Sequence, residues 1–162
     1  MIEIKKLPIS RWKDYKALRL EALKSEPAAF GSSYSEEKNL GVGEWKRRVN
    51  NVVFALIDNK PIGMVGYSFN KRAKTGHIAD IFGVYLNKKY RGQGLGRELL
   101  RSALEIISKN KRIIKVELGV NTEQTAAIRL YEKNRFVVVG RFRKEMKLNG
   151  RFFDEFVMEK LL

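Results

Sequence analysis

Apolar residues recur at helical spacing along several segments of the chain. The clearest is residues 93–109, in which one helical face would carry only apolar side chains. The residues on that face are Leu95, Leu99, Leu100, Ala103, Leu104 and Ile107. The same periodicity predicts helices over residues 10–26 and 123–134. A capping-box spacing, Ser-Tyr-Ser-Glu, predicts one more helix over residues 33–49.

Runs of β-branched and aromatic residues predict seven strands between and beside these helices. They cover residues 1–7, 51–57, 62–70, 77–86, 113–120, 135–140 and 152–160. The sequence Asp-Asn-Lys-Pro at residues 58–61 is typical of a turn, so the second and third strands should form a hairpin.

The predicted elements follow the order β-α-α-β-β-β-α-β-α-β-β. The β-α-β unit in the middle has a long crossover helix, so its two strands should be parallel and joined by a right-handed connection. The hairpins on either side imply antiparallel neighbours. We therefore expect an α/β fold (an α+β mixed sheet) with helices on both faces of the sheet. A length of 162 residues suits one domain, residues 1–162.

Composition excludes several kinds of chemistry. The chain has no cysteine, which excludes disulfides, thiolate catalysis and zinc–thiolate sites. The single histidine, His77, is too few for a multi-histidine metal site, so no metal is expected. No apolar run is long enough to cross a membrane, and the N-terminus lacks the pattern of a signal peptide. We expect a cytoplasmic protein with no membrane partner.

The formal net charge of +15 at pH 7 favours an anionic partner. A nucleotide cofactor, an acidic acceptor and nucleic acid all satisfy that condition, and solubility alone also accounts for the charge. A basic nucleic-acid-binding domain is therefore one interpretation. No helix collects Lys and Arg on one face and no nucleic-acid-binding motif is present, which argues against it.

Three glycines at alternate positions stand where a predicted strand gives way to the long helix. Gly92, Gly94 and Gly96 allow the backbone to approach a ligand without interference from Cβ atoms. The unpaired N–H groups of a helix N-terminus follow, and Arg91 and Arg97 flank the turn. This arrangement predicts an anion site, most naturally for a pyrophosphate. The absence of Gly-Lys-Ser/Thr argues against a P-loop, and the spacing differs from the dinucleotide fingerprint.

Residues 91–96, Arg-Gly-Gln-Gly-Leu-Gly, match the acetyl-CoA motif of the GNAT acetyltransferase superfamily, Arg/Gln-x-x-Gly-x-Gly/Ala. That family's second signature follows, as Asn121 after a strand and then Ala-Ala-Ile-Arg-Leu-Tyr-Glu-Lys at residues 126–133. The chain thus resembles this superfamily over at least residues 76–140. The resemblance implies the acyl-CoA N-acyltransferase fold, with two splayed parallel strands, and acetyl-CoA as co-substrate. It also implies an N-acetyltransferase in which a primary amine of a small molecule or peptide attacks the thioester directly.

The resemblance further implies which residues hold the cofactor. The pantetheine arm would pair with the backbone of residues 82–86, and the Val84 N–H would face the thioester oxygen. The residues expected at the cofactor are Phe82, Val84, Leu86, Arg91, Gly92, Gln93, Gly94, Leu95, Gly96, Arg97, Asn121 and Ala127. Asn121 has a second interpretation, as the capping residue of the helix that follows.

Two residues are expected to carry catalysis. The resemblance implies Tyr131 as the general acid that protonates the departing thiolate, although an aromatic at this helical position also suits packing. Asp80 is the candidate base, on the strand that leads to Val84. His77, Glu21, Glu117 or a chain of waters could serve as the base in its place.

The sequence offers two candidate residues for binding the acceptor amine. Phe30 and Tyr34 are candidate substrate contacts, or aromatics that pack their loop. The identity of the amine and the formation of a homodimer are left open. A CoA-binding module without chemistry is the third interpretation of the chain, and the retained Tyr131 argues against it. Finally, Asn134 stands near the position where the family commonly has Gly, and we expect it to take the left-handed conformation that ends the helix.

Overall fold

Seven strands and five α-helices make up the fold, which a computed structural model describes for all residues, Met1–Leu162. The strands are β1 (Ile2–Lys6), β2 (Val52–Ile57), β3 (Lys60–Phe69), β4 (Ile78–Leu86), β5 (Lys115–Asn121), β6 (Val137–Leu148) and β7 (Arg151–Leu161). The helices are α1 (Trp12–Ser25), α2 (Tyr34–Glu37), α3 (Val42–Val49), α4 (Leu95–Lys109) and α5 (Thr125–Lys133). No helix is both long enough and apolar enough to cross a membrane.

The strands form one mixed sheet in the order β1-β2-β3-β4-β5-β7-β6. Only β4 and β5 are parallel, and α4 is the crossover helix between them. Every other neighbouring pair is antiparallel. The predicted mixed sheet with a central parallel pair is therefore confirmed.

Helices cover both faces of the sheet, as the sequence pattern predicts. The apolar stripe of α4 is buried on one face with residues of α5, in the larger of two core clusters. The opposite face carries α1 and α3, whose buried residues include Leu18, Leu23 and Trp45. In this second layer the guanidinium of Arg19 donates two hydrogen bonds to the buried carboxylate of Glu37, at 2.9 and 2.8 Å. That ion pair joins α1 to α2.

Two element boundaries differ from the prediction. The helix predicted over residues 33–49 is two helices, because the chain extends at Gly41 before α3 begins. The capping box at its start is confirmed, with Ser33 and Glu36 each bonding the backbone N–H of the other. β6 also continues to Leu148, well beyond the predicted residues 135–140. This extension is a largely exposed edge strand, so it lacks the alternation of buried and polar residues by which a strand is found.

The end of α5 corrects one expectation. Asn134 is not left-handed, since its φ is −97°, and Arg135 takes that conformation instead with a φ of 66°. The Phe136 N–H donates to the Tyr131 carbonyl and the Arg135 N–H donates to the Glu132 carbonyl, which is the Schellman pattern. The pattern fixes the left-handed residue by its hydrogen bonds, so an arginine occupies it although glycine would be less strained there.

Candidate active site

A cleft passes through the sheet where β4 and β5 separate. These strands pair only from Ile78 with Lys115 to Asp80 with Glu117, and no ladder continues toward Val84 and Val120. The predicted divergence of the two strands is thus confirmed. The resulting cleft has a volume of about 640 Å³. Residues from both faces of the sheet line it, including Phe82 and Gly119 on one side and Val84 and Tyr131 on the other.

A bulge in β4 directs side chains around this opening. Phe82 pairs with Gly66 and Tyr85 pairs with Met64, so Gly83 and Val84 together oppose the single residue Val65. Gly83 has a φ of 60°, a conformation that glycine adopts readily. Because the bulge adds one residue, Ile81 and Val84 both face the α4 side, although an unbroken strand would alternate them.

The glycine-rich turn presents a row of free backbone donors. Gly92 and Gly94 have φ values of 76° and 84°, which explains the need for glycine at both positions. The N–H groups of residues 92–96 donate no hydrogen bond within the protein. Gly96 has no positive φ, and a Cβ there would make only an ordinary contact, 3.6 Å from Leu130 Cδ2 of α5. Five adjacent amides at the N-terminus of a long helix form a site for an anion.

Four basic side chains line the cleft. Arg91 and Arg97 line it from the turn, as predicted, and Arg129 and Lys133 line it from α5. The last two were missed by sequence reasoning. Their signal was the spacing of four residues, which places them on one face of the helix. The cleft wall holds one carboxylate, Glu26, which forms an ion pair with Arg91 at 2.7 Å.

Tyr131 is buried on α5 and reaches the cleft wall. Its hydroxyl makes no hydrogen bond within the protein, while its ring packs edge-on against Phe136 with centroids 6.0 Å apart. Burial raises the pKa of Tyr131, so the phenol keeps its proton at neutral pH. The ring therefore packs as the second interpretation predicts, and the hydroxyl has no hydrogen-bond partner in the protein.

Asp80 lies on the opposite face of the sheet from Tyr131. Its neighbours in β4, Ala79 and Ile81, are buried on the α4 side, so its carboxylate points to the α1 side. There it is half-buried and is not part of the cleft wall. Burial raises the pKa of Asp80, and the nearby charge of Glu117 raises it further. The structure therefore places the candidate base and the candidate acid on different sides of the opening.

Further acidic side chains share the face of Asp80. Glu117 of β5 pairs in register with Asp80, but its carboxylate forms an ion pair with Lys115 Nζ at 2.8 Å. Glu155 lies over Gly119 of the cleft wall, since a Cβ on Gly119 would meet the Glu155 Oε1 atom at 2.4 Å. Burial raises the pKa of Glu155, and repulsion from Glu145 adds to the effect. Asp80 and Glu155 thus give this face of the opening two carboxyl groups with raised pKa values.

Glu21 and His77, which are also candidates for the base, are placed less favourably. Glu21 accepts hydrogen bonds from the Tyr85 hydroxyl at 2.9 Å and from Asn87 Nδ2 at 2.7 Å. His77 precedes β4, and its carbonyl accepts a hydrogen bond from the Ile114 N–H. Neither side chain lines the cleft.

Several predicted site residues lie outside the cleft wall. Asn121 is buried and bonds the protein through both ends of its amide, donating to Ala28 O and accepting from Glu123 N. Phe30 is buried under the Arg19 guanidinium, and Tyr34 packs between lysines at the start of α2. The remaining residues divide by position: Phe82, Val84, Leu86 and Ala127 line the cleft, whereas Gln93 is exposed and Leu95 is buried in the core.

The profile of the acetyltransferase (GNAT) family matches residues 15–136, which include the glycine-rich turn, Tyr131 and both splayed strands. The chain belongs to the GNAT family. The match covers the elements that build the cleft, from α1 through α5. It ends before the final hairpin of β6 and β7 begins.

Individual relatives in the GNAT family agree with this assignment. An uncharacterized N-acetyltransferase of Bacillus subtilis, YokL, is 31% identical over 156 residues, which cover 85% of each chain. The L-amino acid N-acetyltransferase AaaT of Escherichia coli is 27% identical over 107 residues, or 66% of this chain. That match spans 65% of AaaT, just under two thirds of its length. A GNAT acetyltransferase structure from Streptococcus pneumoniae superimposes with a TM-score of 0.88 at 26% identity, covering 100% of both chains.

Proposed function

We propose that this GNAT family member transfers the acetyl group of acetyl-CoA to a primary amine of a small molecule or a peptide. The observation that carries the proposal is the cleft itself. The cleft includes the turn with its five free amides, and four basic side chains line it, which suits the phosphates of the cofactor. At its centre it has the unpaired edge of β4, to which a pantetheine amide can bond as a neighbouring strand does.

The reaction follows from what surrounds the opening. The amine nitrogen forms a bond to the acetyl carbonyl carbon, and the carbon–sulfur bond of the thioester breaks. The Val84 N–H is proposed as a donor to the carbonyl oxygen, where negative charge develops. The protonated phenol of Tyr131 then gives its proton to the departing sulfur. The nitrogen releases its remaining extra proton to solvent as the amide forms, and the phenol regains a proton from solvent.

The acceptor enters from the face of Asp80 and Glu155 in this proposal. An amine at neutral pH is mostly an ammonium ion, and the carboxylates of Asp80 and Glu155 attract it. Asp80 takes the proton that the ammonium must lose before attack, and its raised pKa improves it as a base near neutral pH. AaaT is named for L-amino acid acceptors, and amino acids are among the amines that the test includes.

The test measures release of free thiol from acetyl-CoA with a panel of amines: amino acids, polyamines, aminoglycosides and peptides with free N-termini. We expect turnover with at least one class, and an acetylated product by mass spectrometry. Binding of CoA without turnover of any amine would favour the module without chemistry. Absence of CoA binding, with tight binding of nucleic acid, would favour the basic nucleic-acid-binding domain instead.

A further inference from the structure

The segment of residues 26–29 lies beside the opening between the two splayed strands. Glu26 ends α1, and a short 3₁₀ turn follows at Pro27–Ala29. Both Glu26 and Ala29 line the cleft, together with Val84 of β4 and Val120 of β5. We call residues 26–29 the strap. It contacts the cleft where the sheet has no hydrogen bonds of its own between β4 and β5.

One tie connects the strap to β5. The side-chain amide of Asn121, at the end of β5, donates to the Ala28 carbonyl at 2.9 Å. Its Oδ1 atom accepts from the Glu123 N–H at 2.9 Å, which fixes the orientation of the amide. Asn121 is only 3% exposed, so water competes poorly for these bonds.

A second tie connects the strap to the other strand. The Glu26 carboxylate pairs with Arg91 Nη2 at 2.7 Å. The same guanidinium donates through Nε to the Leu86 carbonyl at 2.8 Å, and Leu86 is the last residue of β4. Arg91 thereby links the strap to β4, while its Nη1 atom makes no hydrogen bond within the protein and is free for an anion.

We propose that Asn121 and Glu26 are positioning residues that hold the strap between the ends of β4 and β5, and so set the width of the cleft where the acetyl group lies. The proposal rests on the proposed function for its catalytic consequence. The sheet supplies no bonds across this gap, so the two side-chain ties take the place of a ladder. Loosening them should disturb the reacting part of the cleft more than binding at the amides of residues 92–96, because those amides belong to the turn and to α4, not to the strap.

The test uses Asn121→Asp, Glu26→Ala and the double variant. Asp at position 121 keeps the oxygen that accepts from Glu123 but places an oxygen, not a donor, against the Ala28 carbonyl. Glu123→Gln is the matched control, because Glu123 pairs with Arg151 at the surface and lies outside the cleft. Hydrogen exchange of residues 26–31 is followed by mass spectrometry without ligand, and the kinetics are measured at saturating acetyl-CoA.

For each single variant we expect exchange in residues 26–31 to accelerate by about tenfold or more, as for a segment that has lost one of its two ties. The acceptor kcat/KM should fall by about tenfold or more, while the Kd for CoA changes by less than about threefold. The double variant should show little further fall in acceptor kcat/KM, and little further rise in exchange, compared with either single variant. The reason is that both ties hold the same segment. The control should match the wild type in every measurement.

Independent losses that multiply in the double variant would overturn the proposal, because they would mean that the two residues act separately. Unchanged exchange in residues 26–31 would overturn it as well, even if activity fell. The exchange measurement needs no turnover. If the wild type acetylates no amine, the proposed function is wrong. The proposal for the strap is then tested by hydrogen exchange alone.

Discussion

Burial raises the pKa of Tyr131, so its phenol stays protonated at neutral pH. Its hydroxyl makes no hydrogen bond to any protein group. If the phenol protonates the leaving thiolate, Tyr131→Phe removes that proton and preserves the ring. General acid catalysis typically contributes about 10²–10⁴-fold, so kcat should fall by at least about tenfold. The acetyl-CoA Kd should change little, because the free amides and basic side chains are elsewhere.

The unfolding midpoint serves as the control for Tyr131→Phe. It should stay close to that of the wild type, because the edge-on packing against Phe136 is retained. An unchanged kcat would show that water supplies the proton. A joint loss of binding and stability would show instead that the hydroxyl is structural.

Asp80 illustrates the cost of a buried charge. Because burial raises its pKa, the ionised form is disfavoured in the folded protein, and the penalty is complete only above the folded pKa. Asp80→Asn should therefore lower acceptor kcat/KM at neutral pH while raising the free energy of unfolding slightly. The stability gain should vanish as the pH falls below about 4, where the wild-type carboxyl is protonated in both states. Denaturant unfolding at both pH values measures this, and a gain that persisted at low pH would point to packing.

Arg135 carries backbone strain that the Schellman hydrogen bonds at the end of α5 impose. Its φ of 66° at the end of α5 suits glycine, and its side chain is exposed. Arg135→Gly should stabilise the fold by about 0.5–1 kcal/mol, with relief of strain outweighing the entropy of the unfolded glycine. Chemical denaturation checks the direction, and a destabilised variant would show that the arginine makes a compensating contact.

At the scale of elements, the β4–α4 turn is the proposed anion site, and Gly94 is the N-cap of α4 with a φ of 84°. Gly94→Glu places a side chain and a negative charge among the free amides. It should abolish CoA binding in calorimetry while the protein stays folded. The space around Gly94 is open, so the side chain meets no protein atom, although its positive φ makes any side chain strained there.

Gly43→Glu is a matched control for that variant, since Gly43 in α3 also has open space and no positive φ. It adds the same charge far from the cleft and should bind CoA like the wild type. Wild-type affinity in a folded Gly94→Glu protein would place the phosphates elsewhere. Circular dichroism on both variants separates loss of binding from loss of structure.

For the whole molecule, the question is whether the charge of +15 acts locally or as a diffuse field. Replacing Arg129 and Lys133 by Gln removes two charges from the cleft wall, whereas replacing Lys71 and Lys74 removes two from an exposed loop. Screening limits exposed charges to roughly 8 Å at physiological salt, so the first pair should weaken CoA binding by about tenfold or more. The loop pair should change it by less than about twofold. Equal effects would mean that the overall field dominates.

Short-range features of this protein were readable from the sequence. The free amides of the turn depend on left-handed glycines at positions 92 and 94 and on a helix directly after them. Both features can be read from one short segment of the sequence. The apolar stripe of α4 is equally local, because helical periodicity alone exposes it. The mixed sheet follows from the order of the elements and the handedness of the crossover.

Only the tertiary structure decided which side chains meet at the cleft. The bulge at Gly83 and Val84 changes which face each later residue of β4 occupies, and a shift of one residue reverses the answer. For the same reason the opposite placement of Asp80 and Tyr131 depends on strand register. Helical spacing places Arg129 and Lys133 on one face of α5, but only packing turns that face toward the cleft. The two ties of the strap involve residues far apart in the chain, and Asn121 bonds a carbonyl 93 positions away. Contacts of that range arise from packing the whole domain, so no local pattern carries them.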